Sequence, residues 1–231
     1  MKKLVLMVTL FVVSFAFLNA DIYVKREAKS TAKQIPVSYF ETWLGKNKIA
    51  SSQNNMTYVV LTDTKKIFII NHTKKTYVEA SLPLDIIKIM PPPMAAQAQA
   101  QKGQVTLTVT PNGKTNKILN YNCNGFNQLL KLAGMEINMT IWASKDVPFD
   151  WKSTFPLYKE LNTALSSFIT EQIQKEMFKI EGFQLGQEIS QNGITTTITT
   201  IVLDAKKVPP AGTYSVPEGY TKKEMLEMPG M

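Results

Sequence analysis

The sequence predicts an α+β fold in which short antiparallel strands build a sheet and one long amphipathic helix, with a shorter one, covers a face of it. Three observations predict this. Period-two alternation dominates the chain, turn-forming dipeptides separate the alternating stretches, and one long segment alone carries apolar residues at helical spacing.

The strands come first. Gln104 to Thr110 alternates Val105, Leu107 and Val109 with Gln and Thr, and Ile137, Met139, Ile141 and Ala143 alternate with Glu136, Asn138, Thr140 and Trp142. Successive side chains of a strand point to opposite faces, so each stretch has one dry face. Tyr58 to Thr62 and Ile67 to Ile70 are apolar on both faces and call for cover on both. The polar segments Thr62 to Lys66 and Asn71 to Lys75 suit hairpin loops, the second leading into a strand over Thr76 to Ala80. Pro111-Asn-Gly113 and Gln191-Asn-Gly193 read as turns, because Asn-Gly accepts the positive φ that tight hairpins demand. The second lies inside a closing hairpin formed by Glu181 to Gln191 and Ile194 to Leu203.

The long helix is predicted from a cap at Ser153 or Thr154, with Pro156 at its start, to Ile180. Tyr158, Leu161, Leu165, Phe168 and Ile169 begin an apolar stripe that Ile173, Met177 and Ile180 continue. Such a helix either simply covers the sheet or walls a ligand cavity, and the two roles are compatible. The short helix is predicted from a Ser81 cap, with Pro83 in its first turn, through Ile89 to the stop at Pro91-Pro92-Pro93. Residues 91–103, rich in Pro, Ala and Gln, read as a connector within one domain spanning 21–220, and residues 221–231 as a tail.

The first twenty residues give the compartment. Lys2 and Lys3 precede an apolar run from Leu4 to Leu18, and Ala20 supplies a small residue before Asp21 at the cut. The run is short of the roughly 20 residues of a spanning helix, which favours a cleaved signal peptide over a retained anchor. Asp21 stands where a lipid-modified precursor carries cysteine. No second apolar stretch of spanning length follows, so the mature chain is expected in the bacterial envelope, periplasmic or secreted, with no integral membrane span.

Charge and chemistry narrow the function. The formal charge of +8 falls by two once Lys2 and Lys3 leave. The rest is scattered in pairs such as Lys65-Lys66, Lys74-Lys75, Lys206-Lys207 and Lys222-Lys223, without the basic clusters and interleaved aromatics of a nucleic-acid interface. One histidine, His72, and one cysteine, Cys123, cannot build the usual zinc sites, and neither a phosphate loop nor a Gly-x-Ser-x-Gly elbow is present. No catalytic residue, metal site or cofactor is indicated. Cys123 shares the parity of Leu119 and Tyr121, whereas Phe126, Leu130 and Leu132 have the opposite parity. A glycine-assisted bulge at Asn124-Gly125 is preferred over a tight hairpin there, and both accounts turn the thiol inward. A nucleophilic thiol needs a base or cation beside it, and the sequence offers Cys123 none.

"YFETWLGKNKIASSQNNMTYVVLTDTKKIFIINHTKKTYVEASLP", residues 39 to 83, followed by "GKTNKILNYNCNGF", "MTIWASKDVPFDW" and "VPEGY", resembles a bacterial envelope family of unknown function. Its members are similar to the LolA-like half-barrel superfamily of lipoprotein and lipid carriers. Asn120 stands where that pattern has glycine before the tyrosine. The resemblance implies a curved sheet open as a half-barrel, helices on its concave face, and a lipid or acylated protein as partner. It carries over no functional residues.

The expected function is therefore that of a non-enzymatic envelope protein binding an acyl chain in an apolar cavity. The alternative is a structural or interaction protein whose core is filled by its own helix. Candidate ligand contacts are the dry stripes Val105, Leu107, Val109 and Ile137, Met139, Ile141, Met139 being flexible enough for a changing occupant. The volume left between helix and sheet discriminates the two.

Overall fold

The computed structural model describes residues 21–101, 104–132, 134–165 and 169–227. The expected signal peptide, including Ala20, lies outside the described residues, as does Phe168.

The first six strands, β1 (Asp21–Ser30), β2 (Ser38–Gly45), β3 (Lys48–Gln53), β4 (Met56–Leu61), β5 (Lys66–Asn71) and β6 (Thr76–Ser81), form one antiparallel meander. A second meander contains β7 (Val105–Ile118), β8 (Tyr121–Leu132), β9 (Met135–Ser144), β10 (Phe183–Gln191) and β11 (Ile194–Lys207). The two join where β1 pairs antiparallel with β11, from Asp21 opposite Lys207 to Ser30 opposite Thr196. A short strand β12 (Thr221–Lys223), within the segment read as a tail, adds in parallel to β6. The order β12-β6-β5-β4-β3-β2-β1-β11-β10-β9-β8-β7 leaves two edges, so the sheet is open. With helices on one face, this is the arrangement of a half-barrel.

The turns at 62–65 and 72–75 fall where the polar segments placed them. Asn192 (φ 51°) and Gly193 (φ 76°) close the β10–β11 hairpin in the left-handed region that Asn-Gly tolerates. Pro111-Asn-Gly113, by contrast, is no turn. β7 continues through it, and pairing with β8 jumps from Pro111 opposite Phe126 to Thr115 opposite Asn124. The bulge is thus on β7, and Asn124-Gly125 stays in register with Ala143 and Trp142 of β9, which corrects both accounts of that dipeptide. A Cβ at Gly125 would stand 2.3 Å from the movable amide end of Asn112 and 2.9 Å from the buried Trp142 ring, which would have to shift to admit it. The chain reverses instead at Leu119 (φ 54°) and Asn120.

The helices differ from expectation. The connector is helical, α1 (Pro92–Gln101), as alternating Ala and Gln after two first-turn prolines allow. The short helix contracts to a 3-10 turn, Ile86–Ile89, capped by the Asp85 side chain. Ser81 ends β6 instead of capping, and a cis Leu82–Pro83 bond follows. The single long helix is replaced by a 3-10 turn at Trp151–Thr154, α2 (Phe155–Leu165) and α3 (Glu171–Met177). Asp150, not Ser153 or Thr154, caps the first of these. Thr170 starts a new helix by accepting the Ile173 amide at 3.3 Å, a local bond with which Thr competes against helix continuation.

Among the described residues three clusters form the core. On the inner face Val24, Leu44, Ile49, Val60 and Ile67 pack with Leu157, Leu161 and Ala164 of α2. Beside them Val105, Leu107, Val109, Phe126 and Ile141 pack with Ile173 and Ile180. On the outer face Tyr23, Trp43, Ala50, Val59 and Ile70 are covered by Tyr214, Val216 and Tyr220. The proline-rich segment after β11 is therefore a strap that supplies the second cover the two-faced strands call for. The Tyr214 hydroxyl donates to the Asp21 carboxylate at 2.6 Å, and Lys48 lies 4.2 Å above the Tyr214 ring. Burial, reinforced by Asp21, holds that hydroxyl well above the usual tyrosine range.

Candidate functional site

Because α2 seats on β3 and β4 while α3 seats on β7, the middle of the inner face lies beneath the gap between them. A cleft of about 440 Å³ opens there. Its floor comes from the central strands: Arg26, Phe40, Ile141, Gln187 and Ile198. Phe155, Tyr158 and Leu161 of α2 form one wall, and Met177, Phe178 and Ile180 the other. The Phe155 and Phe178 rings meet across it with centroids 5.2 Å apart, a tilted aromatic pair. Gly182 closes the back, held at φ 119° with Ser144 backbone atoms against its α-carbon.

Among the described residues two cations, Arg26 and Lys159, line the cleft, and no Asp or Glu does. Arg26 is half-buried, its guanidinium donates to the Gln184 carbonyl at 3.2 Å and lies 5.9 Å from the Phe183 ring centroid. Among the described residues it has no carboxylate partner.

The structure separates the six stripe residues. Val105, Leu107 and Val109 are buried beneath α3, whose Glu176 accepts the Val109 amide at 3.0 Å and so ties the helix to the edge strand. The Lys179 ammonium and that amide hold the Glu176 carboxyl below its ordinary value. Ile141 belongs to the same cluster and also lines the cleft. Met139, half-buried, accepts a hydrogen bond from Gln187 at its sulfur, 3.2 Å, and borders a polar groove of about 360 Å³ with Thr108, Thr110, Asn127 and Thr140. Ile137 is half-buried and lines neither space. Missed by the sequence reading were Arg26, Phe40, Phe155 and Ile198. One signal was available: Arg26 is the only arginine among 26 basic residues.

The remaining polar candidates sit elsewhere. His72 is held between Thr57, at 2.8 Å, and the strap's Tyr220, at 2.9 Å. Cys123 is buried, its thiol meets the Tyr121 carbonyl at 3.7 Å, and burial pushes the thiol up. Among the described residues no three of His, Cys, Asp and Glu gather as a metal site.

Residues 39–220 match the family described as Domain of unknown function (DUF4412). The chain belongs to this family. The DUF4412 match runs from β2 to the end of the strap and leaves β1, with Arg26, outside it. No curated protein matches the chain significantly. Solved structures similar to this DUF4412 chain include PNGF-II in its C2 crystal form, at 10% identity and a TM-score of 0.44, covering 88% of this chain and 31% of that one. MucB in complex with MucA(peri) is similar at 8% identity and a TM-score of 0.42, covering 92% and 60%. The LolA superfamily protein NE2245 from Nitrosomonas europaea is similar at 7% identity and a TM-score of 0.28, covering 84% and 89%. The chain thus spans about a third of the length of PNGF-II. At TM-scores below 0.5 these likenesses bear no weight on fold or function.

Proposed function

We propose that this protein is an envelope protein that binds the acyl chain of a lipid or acylated protein in the central cleft, performing no chemistry on it. The observation that carries the reading is the cleft itself. Its volume of about 440 Å³ lies within the roughly 300–1,000 Å³ of ligand sites, and its walls are largely aromatic and aliphatic. Burying each methylene contributes about 0.8 kcal/mol, so a chain of a dozen carbons binds without strong polar contacts. Of the stripe residues, Ile141 is the one proposed to touch the ligand. Placement in the envelope rests on the signal-like residues 1–20.

One observation favours the second reading, a structural protein with a self-filled core: α3 already covers Val105, Leu107 and Val109. The two separate in a binding experiment. Delipidated protein is expected to take up a fluorescent fatty acid with saturable, competable affinity. Ile198→Trp, which pushes an indole into the cleft from a half-buried strand position, is expected to weaken uptake about tenfold with an unchanged circular dichroism spectrum. No uptake, and a thermal midpoint indifferent to lipid, leaves the filled-core protein standing.

A further inference from the structure

We infer that the cleft selects an anionic amphiphile, a single acyl chain ending in a carboxylate or phosphate, and that Arg26 holds the charged head. This rests on the acyl-chain reading and adds to it the chemistry of the head.

Lysine was used at 25 of the 26 basic positions, and the one arginine stands at the centre of the sheet, facing the cleft. Arginine's planar fork binds carboxylate and phosphate with two parallel hydrogen bonds, which a lysine ammonium does not reproduce. The neighbouring strand lysines are occupied: Lys25 pairs with Glu41 and Lys29 with Glu27. Arg26 has five N–H donors, and among the described residues a single acceptor, the Gln184 carbonyl, meets them. A half-buried charge left without a counterion is costly, and an incoming anion relieves that cost.

Two further groups point the same way. Thr200 lies directly opposite Arg26 on β11, hence on the same face, and its hydroxyl is buried, 1% exposed for the residue, with no hydrogen-bond partner. On the roof of the cleft the Tyr158 hydroxyl is likewise buried and unpartnered. Buried polar groups are nearly always paired, so orphaned hydroxyls at the strand position paired with Arg26 and on the cleft-lining Tyr158, near a guanidinium without a counterion, leave room for an acceptor that is not protein. Among the described residues no Asp or Glu lines the cleft to repel it.

The test uses the delipidated mature protein and four probes: dodecanoate, dodecyl phosphate, dodecanol and inorganic phosphate. Both chain-bearing anions are expected to bind about tenfold or more tighter than dodecanol, and inorganic phosphate to compete poorly. Arg26→Gln is expected to erase the preference, bringing dodecanoate and dodecyl phosphate down to the affinity of dodecanol. Thr200→Val, which removes an orphaned hydroxyl at constant shape, is expected to hold or raise the thermal midpoint while weakening dodecanoate severalfold. That opposition of stability and binding also serves if Arg26→Gln fails to fold. Equal binding of dodecanol and dodecanoate by the wild-type protein overturns the inference and leaves the acyl-chain reading intact. Displacement by inorganic phosphate as readily as by dodecyl phosphate overturns the amphiphile in favour of a free-anion site. Binding of none of the four overturns both readings.

Discussion

Gly182 fixes the back of the cleft through a single missing atom. Its φ of 119° is open to glycine and strained for other residues, and a Cβ there would stand 2.7 Å from the Ser144 carbonyl carbon and oxygen. Backbone cannot swing aside as a side-chain tip does. Gly182→Ala is therefore expected to cost about 1–3 kcal/mol or more, read as a lower urea midpoint, and to weaken acyl binding as the wall shifts. Wild-type stability in that variant would mean the chain at 182 is not pinned against β9. At this scale the sequence disclosed parity well and neighbours poorly. Cys123 is inward, as its alternation with Asn120 and Asn122 implies, and Val105, Leu107 and Val109 are dry. What covers them was not legible, because alternation marks a dry face without naming the element that dries it.

At the scale of elements, β4 to β6 and β11, with runs of β-branched or aromatic residues, were legible, and β10 was placed by the Asn-Gly turn that leads into β11. β1 to β3 were not, since Lys25, Arg26 and Glu27 stand in succession and Lys48 to Gln53 is largely polar. The helix was misjudged in length because apolar spacing runs on through 169–173, whereas the Thr170 hydroxyl caps a separate second helix there. The strap escaped notice as proline-rich irregular chain, although its aromatic residues are what the outer face needs. It ends in β12, fastened where Glu79 receives Lys66 at 2.8 Å and Lys222 at 2.9 Å. Hydrogen bonds from Lys66 and Lys222 draw the Glu79 carboxyl from its ordinary 4.5 down to about 2. A folded-state value below the unfolded one gives stability that is complete above the unfolded value and is lost as pH falls through the folded one. The fastening is therefore expected to weaken between about pH 4.5 and 2, modestly, because the ion pairs are partly exposed. Amide exchange of residues 221–223 should accelerate across that interval in the wild type, and Glu79→Gln should exchange fast throughout. An interval without acceleration would place the hold on β12 elsewhere, for instance in the Thr76 hydrogen bond to Glu227.

For the whole molecule, the sequence made the class of architecture legible and left the position of the cleft hidden. The stripes pointed to β7 and β9, whereas the open space lies over β1, β10 and β11, because two short helices seated at opposite sides leave the centre bare. The proposed export also concerns the molecule entire. Asp21 opens β1, is buried, and binds Tyr214 of the strap. Protein from the periplasmic or secreted fraction is expected to yield Asp21 as its first residue on N-terminal sequencing. A chain beginning at Met1 in a membrane pellet would refute the signal reading.

The pairing of β1 with β11 also sets a timetable. β1 to β6 can zip up from neighbouring hairpins while the chain is still emerging, and so can β7 to β10 once they exist, but the seam between them needs residues near 21 and residues near 207 at once. Closing so long a loop is slow, since its entropy is lost before any contact across it forms. Until the final stretch of β11 has left the ribosome, no complete sheet exists. A protein whose first strand waits for one of its last completes its sheet only when nearly the whole chain has been made.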